Sequence, residues 1–149
     1  MAQFFGKHAF KVDRKGRISV PADFRAALTQ PNFAGILAFP SPAANAIRCF
    51  SVELMEEIAR HADPMSVFST TAADPTLSSV ADMVRLPFDS EGRVVLPRDL
   101  IDYAGIAEQA MVVGRISYFE IWDLATFRTA HPLVRPPART AATEADHGG

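Results

Sequence analysis

Three cations, Arg14, Lys15 and Arg17, lie within four consecutive residues, with Gly16 between them. Grouped so tightly they can neutralise neighbouring phosphates of a polyanion, and an arginine can fork onto O6 and N7 of guanine. Arg17 can instead pair with Asp13, four residues upstream, and do no more than staple a hairpin. An aspartate that opens a tight turn accepts hydrogen bonds from backbone amides two residues on, and a glycine supplies the positive φ the turn needs. Residue types alone leave both uses of the arginine open.

Other chemistry has less to work with. The four histidines, His8, His61, His131 and His147, fall in no G-x-S-x-G, H-E-x-x-H or Cys/His ligand spacing. The expectation is therefore no enzyme, no metal site and no cofactor. His8 and His61 read as surface or satisfied core residues, His131 and His147 as tail residues. Cys49 is the single cysteine, which excludes an internal disulfide, and its setting in IRCFSV marks a buried small hydrophobe. Phe4, Phe5 and Phe10 read as core or subunit interface, because the turn cations hold the protruding position that base stacking would need.

The elements that position the cations occur twice. VDRKGRISVPADF (12–24) returns as FDSEGRVVLPRDL (88–100), at a constant offset of 76 residues. Asp13, Gly16, Arg17, Pro21 and Asp23 are matched by Asp89, Gly92, Arg93, Pro97 and Asp99, with apolar residues between them in both copies. Such a repeat suggests a pseudo-symmetric pair of half-domains. It accounts for Asp and Gly as turn formers needed in both halves. It does not account for Arg14 and Lys15, because the second copy has Ser90 and Glu91 there.

After each motif the pattern continues in parallel. A proline at the first helical position leads PADFRAAL and PRDLIDYAG, and Gly105 is placed to cap the second helix. GILAF and IRCF are β-type runs in the first copy, and MVVGRISYFEIW is the run of the second, with GRISYFEIW read as an apolar strand. Helices capped by Ser51 and Asp123 close the halves, and PSPAAN lengthens the first copy. DPTLSSVADMVR reads as a connecting helix or turn of helix. The tail from His131 is rich in Pro, Ala, Thr and Gly, lacks a hydrophobic period, and is expected to be disordered.

The chain has 149 residues, 48% of them hydrophobic, and a formal net charge of −2. That net charge does not announce a nucleic-acid binder, but its distribution is uneven. Lys and Arg outnumber Asp and Glu six to two in residues 1–28, against three to six in 40–85 and four to seven in 86–128. A basic end on an acidic body can steer a polyanion to one face, or can be a merely solvated face. No apolar run approaches the roughly 18–20 residues of a membrane span, and the start lacks a signal-peptide core. A soluble, cytoplasmic protein with no membrane partner is expected.

From about Phe5 to Phe127, the paired DRKGR and DSEGR turns and the late GRISYFEIWD stretch resemble the MraZ family. Its halves are AbrB-like (SpoVT-AbrB) swapped-hairpin units. The resemblance implies a β-rich α+β fold, a pseudo-two-fold swapped-hairpin barrel of two repeats with short flanking helices. Residues 5–62 would form the DNA-contacting repeat, 63–84 a connecting helix or linker, 85–130 the second repeat and 131–149 a disordered tail. It also implies a bacterial, nucleoid-associated transcriptional regulator, commonly a repressor of the division and cell-wall gene cluster that contains its own promoter. The family binds direct repeats in double-stranded DNA as a ring of roughly eight or more subunits, which turns weak single contacts into avidity. Arg17, with Arg14 and Lys15, would contact DNA; Asp13, Gly16, Asp89, Gly92 and Arg93 would position the turns. Ser90 and Glu91 depart from a DNA-contacting pattern. The competing readings are an AbrB-like antitoxin that docks a protein partner through residues 131–149, and a small hydrolase.

Overall fold

Apolar runs bounded by Gly, Pro and Asn become strands, and the proline-led segments become helices. The computed structural model describes residues 2–61 and 80–132. The first part runs β1 (Lys7–Lys11), β2 (Arg17–Ser19), α1 (Ala22–Leu28), β3 (Thr29–Gln30), β4 (Phe33–Pro40), β5 (Ile47–Phe50) and α2 (Val52–His61). The second runs from a 3-10 turn (Val80–Asp82) through β6 (Val84–Pro87), β7 (Arg93–Val95), α3 (Arg98–Ala104), β8 (Gln109–Gly114) and β9 (Phe119–Asp123) to α4 (Leu124–Ala130).

The strands of each copy find their partners in the other. β2 pairs antiparallel with β7 and sets Ile18 opposite Val94, residues that hold the same place in the two motifs. β1 joins β8, and β6 joins β4, so the first strand of each half extends the hairpin of the other. β5 lies against β9 with Arg48 opposite Glu120. A pseudo-two-fold axis therefore passes through the Ile18–Val94 and Arg48–Glu120 pairs. The result is a curled, seven-stranded half-barrel sheet and a separate two-stranded ribbon, β2–β7, with short helices at its flanks. This is the β-rich α+β swapped-hairpin fold expected. The register shows where the copies part: Lys11 faces Gln109, whereas Pro87 faces Gly35. The first copy has two residues more between motif and strand, used in the β3–β4 turn, where the second turns on the left-handed Gly105.

The core closes under the ribbon. Ile18, Val20, Phe24 and Leu28 from the first copy meet Val94, Leu96, Leu100 and Ala104 from the second, over a floor that includes Ile36, Val112 and Ile121. Phe24 packs on Phe4 and Phe119 with ring centroids 5.0 and 5.2 Å away. Cys49 is fully buried, as its neighbours suggested, and that burial pushes its thiol pKa well up, with Glu120 adding to it. The expected caps form: Ser51 Oγ accepts from Leu54 N, and Asp123 Oδ2 from Thr126 N.

Some expectations are corrected. Pro21 and Pro97 occupy N-cap positions, one residue before α1 and α3, with ψ angles of 143° and 148° that still belong to the incoming strand. The missing N–H costs nothing at either position. MVVGRISYFEIW is not one strand. It doubles back between Gly114 and Phe119, with Ile116 at φ 74°, exposed and bridged to Phe4 by two backbone hydrogen bonds of 2.7 and 2.9 Å. His131 is no loose tail residue, since its ring stacks on Phe127 with centroids 4.6 Å apart and meets Trp122 edge-on. Nor is His8 a satisfied core residue: it packs edge-on to Phe24, and its buried Nε2 has no hydrogen-bond partner. Of the proposed connecting stretch, Val80–Asp82 forms the 3-10 turn and Val84 and Arg85 open β6; most of 63–84 and the tail from 133 lie outside the described residues. Among the described residues no helix is long and apolar enough to cross a membrane.

Candidate nucleic-acid interface

Both motif turns are built by one aspartate. Asp13 Oδ1 accepts from Lys15 N at 2.9 Å and Arg17 N at 2.8 Å, while Oδ2 takes Arg17 Nε at 2.6 Å. Asp89 repeats this with Glu91 N and Arg93 N, both at 2.9 Å, and with Arg93 Nε at 3.0 Å. Gly16 and Gly92 sit at φ 81° and 76°, a backbone region that excludes most side chains. Each glycine carbonyl then accepts an amide from the other motif: Leu96 N to Gly16 O at 2.8 Å, and Val20 N to Gly92 O at 3.3 Å. A Cβ on Gly16 would come within 3.0 Å of Leu96 O, so the glycine is needed for this close approach as well as for its φ.

Above these shared turns the copies diverge. Arg14 and Lys15 are exposed at the first tip, and among the described residues neither forms an ion pair. The second tip presents Ser90 and Glu91. Glu91 also reaches back to Arg93 Nη2 at 3.5 Å, so Arg93 is held by two carboxylates where Arg17 is held by one. Paired residues share a face of a ribbon, so Arg17, Ser19, Arg93 and Val95 all point outward from β2–β7, with Ile18 and Val94 buried beneath. Because the ribbon is antiparallel, the two turns stand at its opposite ends.

Arg14, Lys15, Arg17, Asp13 and Gly16 are thus gathered in one turn, and Asp89, Gly92 and Arg93 in its counterpart. Sequence reading missed two arginines that the swap brings to these turns. Arg98 comes to the first turn from α3. Arg25 lies across Gly92, where an added Cβ would meet its Cδ at 2.7 Å. Nothing local signals either one; the signal is the pairing of the two copies.

The carboxylates that fasten the turns set a pH dependence. The backbone N–H of Arg17 holds Asp13 below its usual pKa and that of Arg93 does the same for Asp89, with further help from the other amides and the paired guanidinium. In Asp123 burial works upward but is outweighed by hydrogen bonds from Ala107, Thr126 and Ala125. A depressed folded-state pKa gives stability that is complete above the unfolded value, about 4, and is lost as pH falls through the folded value. Melting temperature is therefore expected to hold between pH 7 and 5 and to fall below about pH 4. Asp13→Asn and Asp89→Asn should each make that acid limb shallower, as thermal unfolding at a series of pH values will show; parallel limbs for wild type and both variants would refute the assignment.

The family model described as "MraZ protein, putative antitoxin-like" matches residues 81–142. The chain is 37% identical over 127 residues, 85% of either chain, to the protein named "Transcriptional regulator MraZ" from Rickettsia peacockii (strain Rustic), and to the same extent to that from Rickettsia africae (strain ESF-5). Its identity to the Rickettsia bellii (strain OSU 85-389) protein of the same name is 37% over 117 residues, 78% of each. Identity of 37% over 85% of the chain shows the family, and by it this chain belongs to the MraZ family.

Proposed function

We propose that this protein is a transcriptional regulator that binds double-stranded DNA through its first turn. The observation that carries the reading is the asymmetry of two turns fastened by the same set of aspartate hydrogen bonds. One is tipped by two exposed cations that form no ion pair among the described residues, and the other by an acid that folds back on its own arginine. The relatives' printed name, transcriptional regulator, agrees with it. A two-stranded ribbon is of a width that the major groove admits, and Arg17, whose Nε is taken by Asp13, keeps its two Nη groups to fork onto guanine in this reading. Residues 5–62 then supply the DNA contact, while 85–130 complete the fold and hold the first turn in place.

In the fuller reading the protein acts as a repressor of the division and cell-wall gene cluster, including its own promoter. It works at the nucleoid as a ring that engages closely spaced direct repeats. One turn buries little surface on DNA, so several turns acting together supply the affinity. If three or four turns each neutralise about two phosphates, log K falls against log salt with a slope of about −5 to −7. The test is an anisotropy titration on the DNA upstream of the protein's own gene across a salt series, with scrambled DNA of the same length alongside. A slope near zero, or equal affinity for both DNAs, would overturn the reading.

A further inference from the structure

The first turn does not stand alone. Between it and the start of α3 lies a cleft of about 360 Å³ whose lining includes Arg14, Lys15, Val95, Arg98 and Ile101. Arg98 therefore brings a third cation to the same space, from the opposite repeat. Its side chain is 79% exposed, and its one ion-pair partner among the described residues, Asp102, lies 3.4 Å away and is itself 64% exposed. A pair this open stabilises little and leaves the guanidinium able to take another anion. Asp13 also borders the cleft, but its two oxygens are already given to Lys15 N, Arg17 N and Arg17 Nε.

The pseudo-symmetric position is built differently. By the 76-residue offset, Arg98 corresponds to Ala22 and Ile101 to Arg25. Beside the second turn, Ala22 carries no charge. Arg25 lies over Gly92 with its Nε on Val20 O at 3.2 Å, where Ile101 Cδ1 takes the equivalent place over Gly16 at the first turn. The first turn thus has an exposed cation, Arg98, beside Arg14 and Lys15, whereas the second has Ala22 at that position, Glu91 at its tip and an arginine whose Nε is already bonded to backbone. The hairpin geometry is common to both and does not require this difference.

We propose that Arg98 completes a phosphate-binding cleft with Arg14 and Lys15, so that the DNA backbone is gripped by both repeats of one chain. The inference rests on the reading of the first turn as the DNA-contacting element. A phosphate contact carries no base information, so the loss of Arg98 weakens binding to all sequences alike. Lysine substitutes for arginine at a site that needs only a point charge.

The experiment compares wild type, Arg98→Ala, Arg98→Lys and Arg128→Ala, a control for lost charge on α4, on upstream and scrambled DNA over a salt series. Arg98→Ala is expected to weaken binding to both DNAs by up to about tenfold, and to flatten the salt slope by about 0.9, for each turn engaged. Its melting temperature should match wild type, Arg98→Lys should restore the slope, and Arg128→Ala should change neither quantity. If wild type binds and Arg98→Ala keeps its affinity and slope, the inference is wrong while the regulator reading stands. If Arg98→Ala loses discrimination between the DNAs at an unchanged slope, Arg98 reads bases and the backbone assignment fails. Failure of wild type to bind either DNA removes the regulator reading, and this inference with it.

Discussion

Arg17→Ala is expected to lower affinity for the upstream DNA by about a hundredfold or more, with the melting temperature shifted by no more than about 4 °C. A good arginine–guanine fork discriminates by about 1–3 kcal/mol, and the substitution removes it from every engaged turn at once. The turn itself survives, because Asp13 still accepts from the backbone amides of Lys15 and Arg17. The lost ion pair is about a third exposed on both sides, where water screens it, and contributes little. Arg93→Ala should behave in the opposite way. It leaves Asp89 and Glu91 facing each other without the cation between them, so the melting temperature falls while affinity for DNA barely changes. Melting curves and titrations on the two variants decide the matter. Lost binding in Arg93→Ala with retained binding in Arg17→Ala would reverse the roles of the copies.

Phe24→Ala should cost about 3–5 kcal/mol, a large part of the 5–15 kcal/mol that holds a typical domain folded. Phe24 is 1% exposed and lies between Phe4, from the chain start, and Phe119, from β9 of the second copy. Its loss leaves a cavity where the halves meet, and the strands around it are held by long-range pairing that cannot easily close the gap. In thermal unfolding the midpoint should fall by roughly 6–20 °C. A loss below about 1 kcal/mol would mean that this aromatic cluster does not join the halves.

What was legible in the sequence was local. Asp13, Gly16 and Arg17 lie within five residues, so their turn, its pairing and its φ follow from residue types. The same holds for the caps at Ser51 and Asp123 and for the left-handed Gly105. The break in MVVGRISYFEIW was hidden because Ile116 is a β-branched residue at positive φ, held there by a bridge to Phe4 more than a hundred positions away. Arg98 was hidden for a related reason. Only the pairing of Arg17 with Val95 sets α3 beside the first turn, and no pattern within either motif specifies that register. His131 was assigned to the tail on composition, which takes no account of the stacking surface offered by Phe127.

The exchange of first strands also governs how the chain can fold. Lys7 pairs with Val113, and Gly35 with Pro87, so neither half can complete its sheet from its own residues. Closing such long loops precedes the contacts that reward it, which places this small protein among slow folders. On the ribosome, the first half emerges with the β4 edge unpaired until β6 has been made, and with β1 waiting for β8. An unpaired edge is a template for any other strand, including that of a neighbouring nascent chain. Two unfinished copies can then pair with each other, and the time from synthesis of β4 to that of β6, and of β1 to that of β8, sets how long each edge stays open to such a partner.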